Sequence, residues 1–160
     1  MEKTGDKIKD LEHAKEQVQQ WKIQGKKIAF TNGCFDLLHL GHVDYLEKAR
    51  ALGDKLILGL NSDSSVGRFK GQNRPIQDQN SRARVLAALQ FVDLVVCFNE
   101  DTPLNLITEI QPDILVKGSD YLAENIVGAD VVKGKGGVVK TIDFVSGYST
   151  SKIVEKIKNT

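Results

Sequence analysis

The chain has 160 residues, 41% hydrophobic and 27% charged, with a net charge of +1; this is the make-up of one ordinary globular domain. That balance gives no footprint for nucleic acid or a membrane surface, and no apolar run approaches the roughly 18 residues a membrane span needs. Two cysteines and a charged start, Met1–Lys7, with no apolar stretch behind it lead to the expectation of a cytoplasmic protein with free thiols.

In chain order, Ile8, Leu11, Val18 and Trp21 recur at helical spacing and predict an amphipathic helix over residues 6–24, ended by Gly25. From there short apolar runs alternate with helical patterns. Strands are expected at Ile28–Phe30, Leu56–Leu60, Leu94–Phe98, Ile114–Val116 and Val138–Ile142. Helices are expected at Val43–Leu52, Ser81–Gln90, Pro103–Ile110 and Thr150–Lys158. Thr102 before Pro103 reads as a cap, as do Asn80 or Ser81 and Ser149 or Thr150. Strands separated by helices of this length make a Rossmann-like, doubly wound, mainly parallel five-stranded sheet with flanking helices. Residues 1–26 are read as an N-terminal helical extension and 27–160 as the functional domain. The polar stretch Ser62–Asn80, with Gly67, Gly71 and Pro75, is read as a lid or binding loop whose cations are Arg68, Lys70 and Arg74.

The most telling stretch is Thr31-Asn32-Gly33-Cys34-Phe35-Asp36-Leu37-Leu38-His39-Leu40-Gly41-His42, where the first strand gives way to a helix. Free amides at a helix start and the helix dipole favour an anion there, and a spacing of three puts both imidazoles within one turn. Two histidines also suit a metal, but the chain's third histidine is His13, and no H-E-x-x-H or paired C-x-x-C accompanies them. Phosphate is therefore the expected ligand and no metal ligand is assigned. Gly134-Lys135-Gly136-Gly137 fails as a dinucleotide fingerprint because Val139 stands at the last glycine position; P-loop and G-x-S-x-G patterns are absent.

Residues Gly33–His42 resemble the G-x-F-D-x-x-H-x-G-H signature of the cytidylyltransferase-like nucleotidyltransferases. Three further segments match in order. Ser81–Leu89 with Val92-Asp93 is similar to the family's arginine-bearing helix, Lys117-Gly118-Ser119-Asp120-Tyr121 to its K-G-x-D-Y loop, and Ser149-Thr150-Ser151 to its S-T-[ST] phosphate motif, with serine in the last place. Within the family the wording, including Gly59–Asp63, Asn99–Pro103 and Val127–Asp130, is similar to the branch that adenylylates heptose phosphates. The resemblance implies ATP, arriving with Mg2+, and D-glycero-β-D-manno-heptose 1-phosphate as substrates, ADP-heptose and pyrophosphate as products, a separate heptose 7-phosphate kinase upstream, and a homodimer.

It also implies roles. His39, His42, Lys70 and Arg82 would carry catalysis at the phosphates. Thr31, Asn32, Gly33, Cys34, Phe35 and Gly41 would bind nucleotide beside them, Gly41 by letting the triphosphate approach the helix. Lys117, Gly118, Asp120 and Tyr121 would lie near base and ribose, and Ser149, Thr150 and Ser151 would hold phosphates, cap the helix, or both. Asn61 and Asp63 would face the sugar. Asp36, also assigned to the substrate side, would brace its turn by an Asx-type contact. Arg68 and Arg74 read equally as phosphate cations or solvated charges, Arg84 as surface and Cys34 as filler rather than nucleophile. The same fold also serves CTP with glycerol 3-phosphate, or ATP with flavin mononucleotide. A non-catalytic nucleotide sensor is the alternative from another class.

Overall fold

The computed structural model describes residues 3–160; Met1 and Glu2, the first residues of the charged start, lie outside them. Side-chain alternation decides the layers. In β1 (Ile28–Gly33), β2 (Lys55–Asn61), β3 (Leu94–Phe98) and β4 (Ile114–Gly118), Ile28, Phe30, Ile57, Leu94, Val96 and Leu115 face one side. Ala29, Leu56, Leu58, Leu60, Val95, Ile114 and Val116 face the other, as a period of two requires. The first face is covered by α1 (Leu11–Ile23), α5 (Leu104–Ile110) and α6 (Ala129–Gly134). The second is covered by α2 (Leu40–Ala51) and α4 (Gln79–Ala87). With β5 (Val138–Ile142), the sheet runs β3-β2-β1-β4-β5, all parallel. Strand order reverses between β1 and β4, and in such sheets ligands sit beyond the carboxyl ends of the strands at that switch.

Local chemistry moved several expected boundaries. The N-terminal helix starts at Leu11, not residue 6, because Asp10 accepts from the His13 amide as its cap. Before it, Thr4–Lys7 form a 3-10 turn, and Ile8 pairs in parallel with Val95 at the sheet edge. With Ala14 and Val18 buried in the core, this segment belongs to the same hydrophobic unit as the sheet. The expected loop 62–80 is half helix: Ser62 caps α3 (Asp63–Lys70) by accepting from the Ser65 amide. Asp78, rather than Asn80 or Ser81, caps α4. Pro103 is itself the cap residue of α5, so Thr102 does not cap it. Sequence reading passed over α6, six residues long. The last helix, α7 (Thr150–Lys158), is capped by Ser149 as expected.

Gly128, which starts α6, has φ +85, and an added Cβ would stand 2.7 Å from Ile107 Cδ1. Gly128→Ala is expected to cost about 2 kcal/mol through left-handed strain plus the displaced isoleucine, read as a lower urea midpoint at unchanged m-value.

Candidate active site

A cleft of about 760 Å3 opens at the carboxyl ends of β1 and β4. Its floor is the turn after β1. His39 is the N-cap of α2, its Nδ1 accepting from the Gly41 amide at 3.1 Å. An accepting Nδ1 leaves the proton on Nε2. The two imidazoles stack, centroids 3.9 Å apart, and His42 lines the cleft. At Gly41 an added Cβ would stand 3.0 Å from the His39 ring, so glycine leaves room for His39 to fold back over its own helix. Two buried polar atoms, His42 Nδ1 and Asn32 Oδ1, have no hydrogen-bond partner among the described residues, and both residues line this cleft. Buried polar groups are nearly always paired; these two face a place where a ligand belongs.

Burial, with smaller contributions from the charges of His39 and Lys70 and against a weaker backbone contact with Leu37, pulls the His42 imidazole down to about 4, and burial lowers His39 as well. Both are neutral in the free protein at pH 7. A folded pKa below the unfolded value means that the native state binds fewer protons. The associated stability is whole above about pH 6.5 and is lost as pH falls toward 4. At pH 4.5 this amounts to about 2 kcal/mol for His42. The loss of stability between pH 7 and pH 4.5, measured by urea unfolding, is therefore expected to be smaller by that amount in His42→Asn than in the wild type.

Behind the floor lies a network of buried charged side chains. Asp36, 3% exposed, accepts from Arg74 Nε at 2.8 Å, from the Ile76 amide at 2.9 Å and from the Gln77 amide at 3.0 Å. Burial opposes its charge, but the Gln77 and Ile76 amides and the Arg74 guanidinium outweigh it and hold the carboxyl below its usual range. The expected Asx-type brace is thus a tie across the fold to residues 74–77, and Arg74 is an ion-pair partner rather than a solvated charge. Arg82 is 1% exposed, and its guanidinium donates to the carbonyls of Gln77, Cys34 and Asn61 and to the Asp63 carboxylate, at 2.7–3.0 Å. The guanidinium is thus engaged by four protein acceptors and lies outside the cleft lining. Asp63 correspondingly serves Arg82.

The other expected residues divide. Gly33, Cys34, Phe35, Asn61, Lys70, Lys117, Gly118, Asp120, Tyr121 and Thr150 line the cleft together with Asp36. Thr31 is buried beneath it, hydrogen-bonded through Oγ1 to the Tyr45 hydroxyl at 2.8 Å. Ser149 is occupied as a cap, and Ser151 lies apart from the cleft beside Arg74 and Glu155. Burial raises the Cys34 thiol above its usual range, against a role as nucleophile. Burial lowers the Lys117 ammonium while Asp120 opposes the shift; its Nζ lies 5.3 Å from the Tyr121 ring centroid. Arg68 lines the cleft too, paired with Asp101 at 2.7 Å. With Ser62 and Ser64 on Asn99, that pair ties α3 to the loop after β3.

Sequence reasoning missed Tyr45, Phe69, Asp101 and Phe144 in the lining. The Phe144 ring, 55% exposed, stacks on Tyr45 at 5.7 Å and fills the space that a Cβ on Gly118 would take. The glycine of Lys117-Gly118 was the available signal, but nothing in sequence says which ring lies against it.

The family model described as cytidylyltransferase-like matches residues 30–156. The chain belongs to the cytidylyltransferase-like family. It is a nucleotidyltransferase, built on an all-parallel Rossmann-like sheet. Among curated relatives it is 57% identical over 152 residues to the bifunctional protein HldE of Magnetococcus marinus, covering 95% of this chain and 31% of that protein. Against HldE of Citrifermentans bemidjiense it is 56% identical, covering 94% and 31%. The chain thus spans about a third of the length of these relatives. A solved lipopolysaccharide core biosynthesis protein of Thermoplasma volcanium superposes with a TM-score of 0.61 at 32% identity, over 78% of this chain and all of that one. A pantoate-beta-alanine ligase of Francisella tularensis, at 16% identity and TM-score 0.60 over 96% and 78%, shares the fold. No helix among the described residues is long and apolar enough to cross a membrane.

Proposed function

We propose that this nucleotidyltransferase moves AMP from MgATP to D-glycero-β-D-manno-heptose 1-phosphate, giving ADP-heptose and pyrophosphate. The observation that carries an anionic ligand is the unpartnered buried Nδ1 of His42 at the mouth of a strand-to-helix turn, with Lys70 in the lining of the same cleft. The motif wording and the 57% identity to HldE support the heptose acceptor. A phosphate oxygen of the sugar attacks the α-phosphorus of ATP and the bond to pyrophosphate breaks in line. The attacking oxygen is already an anion, so no general base is needed, and neither cysteine takes part. Catalysis is positioning and charge stabilisation: neutral His42 donates to the α-phosphate, and Lys70 and the turn amides take up charge. Mg2+ arrives on the nucleotide and keeps much of its water. A homodimer, and a kinase reaction that supplies the sugar phosphate, complete the proposal.

The test is pyrophosphate release with Mg2+, crossing ATP and CTP with heptose 1-phosphate, glycerol 3-phosphate and flavin mononucleotide. Release with ATP plus heptose 1-phosphate alone is expected. Release only with CTP and glycerol 3-phosphate, or only with ATP and flavin mononucleotide, replaces the substrates; binding of nucleotide without release in any mixture makes the chain a sensor.

A further inference from the structure

We infer that Arg82 is a positioning residue for the phosphate-binding turn, acting through the Cys34–Phe35 peptide and through residue 77; the reaction it serves is the one proposed above. In a trans peptide the C=O and N–H point in opposite directions. Arg82 Nη1 holds the Cys34 carbonyl at 2.8 Å from behind the turn. The amide of Phe35 therefore points away from Arg82, to the side where Gly33, Cys34 and Phe35 line the cleft. Among the described residues no backbone acceptor takes that amide. Phe35 stands at φ +46, a left-handed setting that a bulky residue adopts only when its surroundings hold it there. Arg82 is one of the holders. It also closes a clasp on residue 77: Arg82 Nε donates to the Gln77 carbonyl at 3.0 Å, and Asp36 accepts from the Gln77 amide at 3.0 Å. One planar fork thus fixes the turn after β1, the end of β2 at Asn61, the first residue of α3 and the approach to α4. A lysine ammonium, a point charge on a flexible stem, does not reproduce that fork.

The test uses Arg82→Lys in the whole chain, with steady-state kinetics and amide NMR of the nucleotide-free protein. The expected result is a kcat lower by about thirtyfold with the KM for ATP within about threefold, and shifted Phe35 and Gln77 amide resonances before any ligand is added. A KM for ATP raised tenfold or more, with both amides unmoved, would instead make Arg82 a direct phosphate contact and overturn the inference. A folded variant with wild-type kcat reduces it to packing and also overturns it. Should Arg82→Lys fail to fold, Asp63→Asn, which removes one acceptor of the fork, is expected to shift the same two amides and lower kcat by about threefold to tenfold; unmoved amides contradict the inference. The amides are read without substrate, so if the wild type turns over none of the offered pairs, the adenylyl-transfer reading fails while the positioning claim is still decided.

Discussion

Replacing His42 with alanine is expected to lower kcat by about a thousandfold while the dissociation constant for ATP stays within about threefold. The ring sits at the start of α2, one turn from the His39 cap and stacked on it at 3.9 Å. It is neutral in the free protein because burial has pulled it down to about 4. A neutral imidazole pays little desolvation on entering a dry site, and it donates most strongly where negative charge builds up, on the pentavalent α-phosphate. Loss of one such preorganised donor costs about a hundredfold to a thousandfold in other enzymes, and the interaction grows from ground state to transition state, so kcat falls rather than affinity. Fluorescence titration with a non-hydrolysable ATP analogue beside steady-state turnover separates the two. Equal losses in affinity and kcat/KM with kcat unchanged would mean that His42 only binds.

Asp36→Ala is expected to be the most destabilising single substitution at the site, by about 3 kcal/mol, and to abolish most activity. The carboxylate is almost wholly buried and satisfies Arg74 and two backbone amides at once. Its removal leaves a half-buried guanidinium and two amides without their acceptor, a penalty of about 3–5 kcal/mol for a buried pair. Residues 74–77 then lose their tie to the turn after β1, and with them the placement of Lys70. Because the folded carboxyl is held below its usual range, the stability it supplies is present above about pH 4 and is lost as pH falls through the folded value. Urea unfolding of variant and wild type at pH 7 gives the difference directly; a change under about 1 kcal/mol would contradict the assigned tie.

These two residues mark what the sequence makes legible and what it does not. The five strands, their mainly parallel sense and the His39–His42 turn follow from the sequence pattern: β-branched runs, alternation with helical spacing and a glycine-bounded strand-to-helix junction, whereas the strand order does not. The helix α3 was hidden because Gly67 and the serines around it imitate a loop, and its cap, Ser62, acts through a bond to the Ser65 amide that composition does not reveal. The family resemblance assigns Arg82 to the phosphates; its contacts with Cys34, Asn61, Asp63 and Gln77 come together only in the fold. Phe144 was passed over for the same reason. Its partners, Tyr45 and Gly118, are distant in sequence, and no periodicity links them. Residues that contact the ligand through motif-borne atoms are visible in one chain; those that hold the motif in shape depend on long-range contacts and are not.

The central claim is that an oxygen of the sugar phosphate ends up bonded to the α-phosphorus of ATP. The direct test is 31P NMR of the products formed from MgATP and heptose 1-phosphate labelled with 18O on its non-bridging phosphate oxygens. The expected result is a coupled diphosphate pair with labelled oxygen in the P–O–P bridge, alongside unlabelled pyrophosphate. AMP with unchanged sugar phosphate, or a diphosphate whose bridge carries no label, would contradict it.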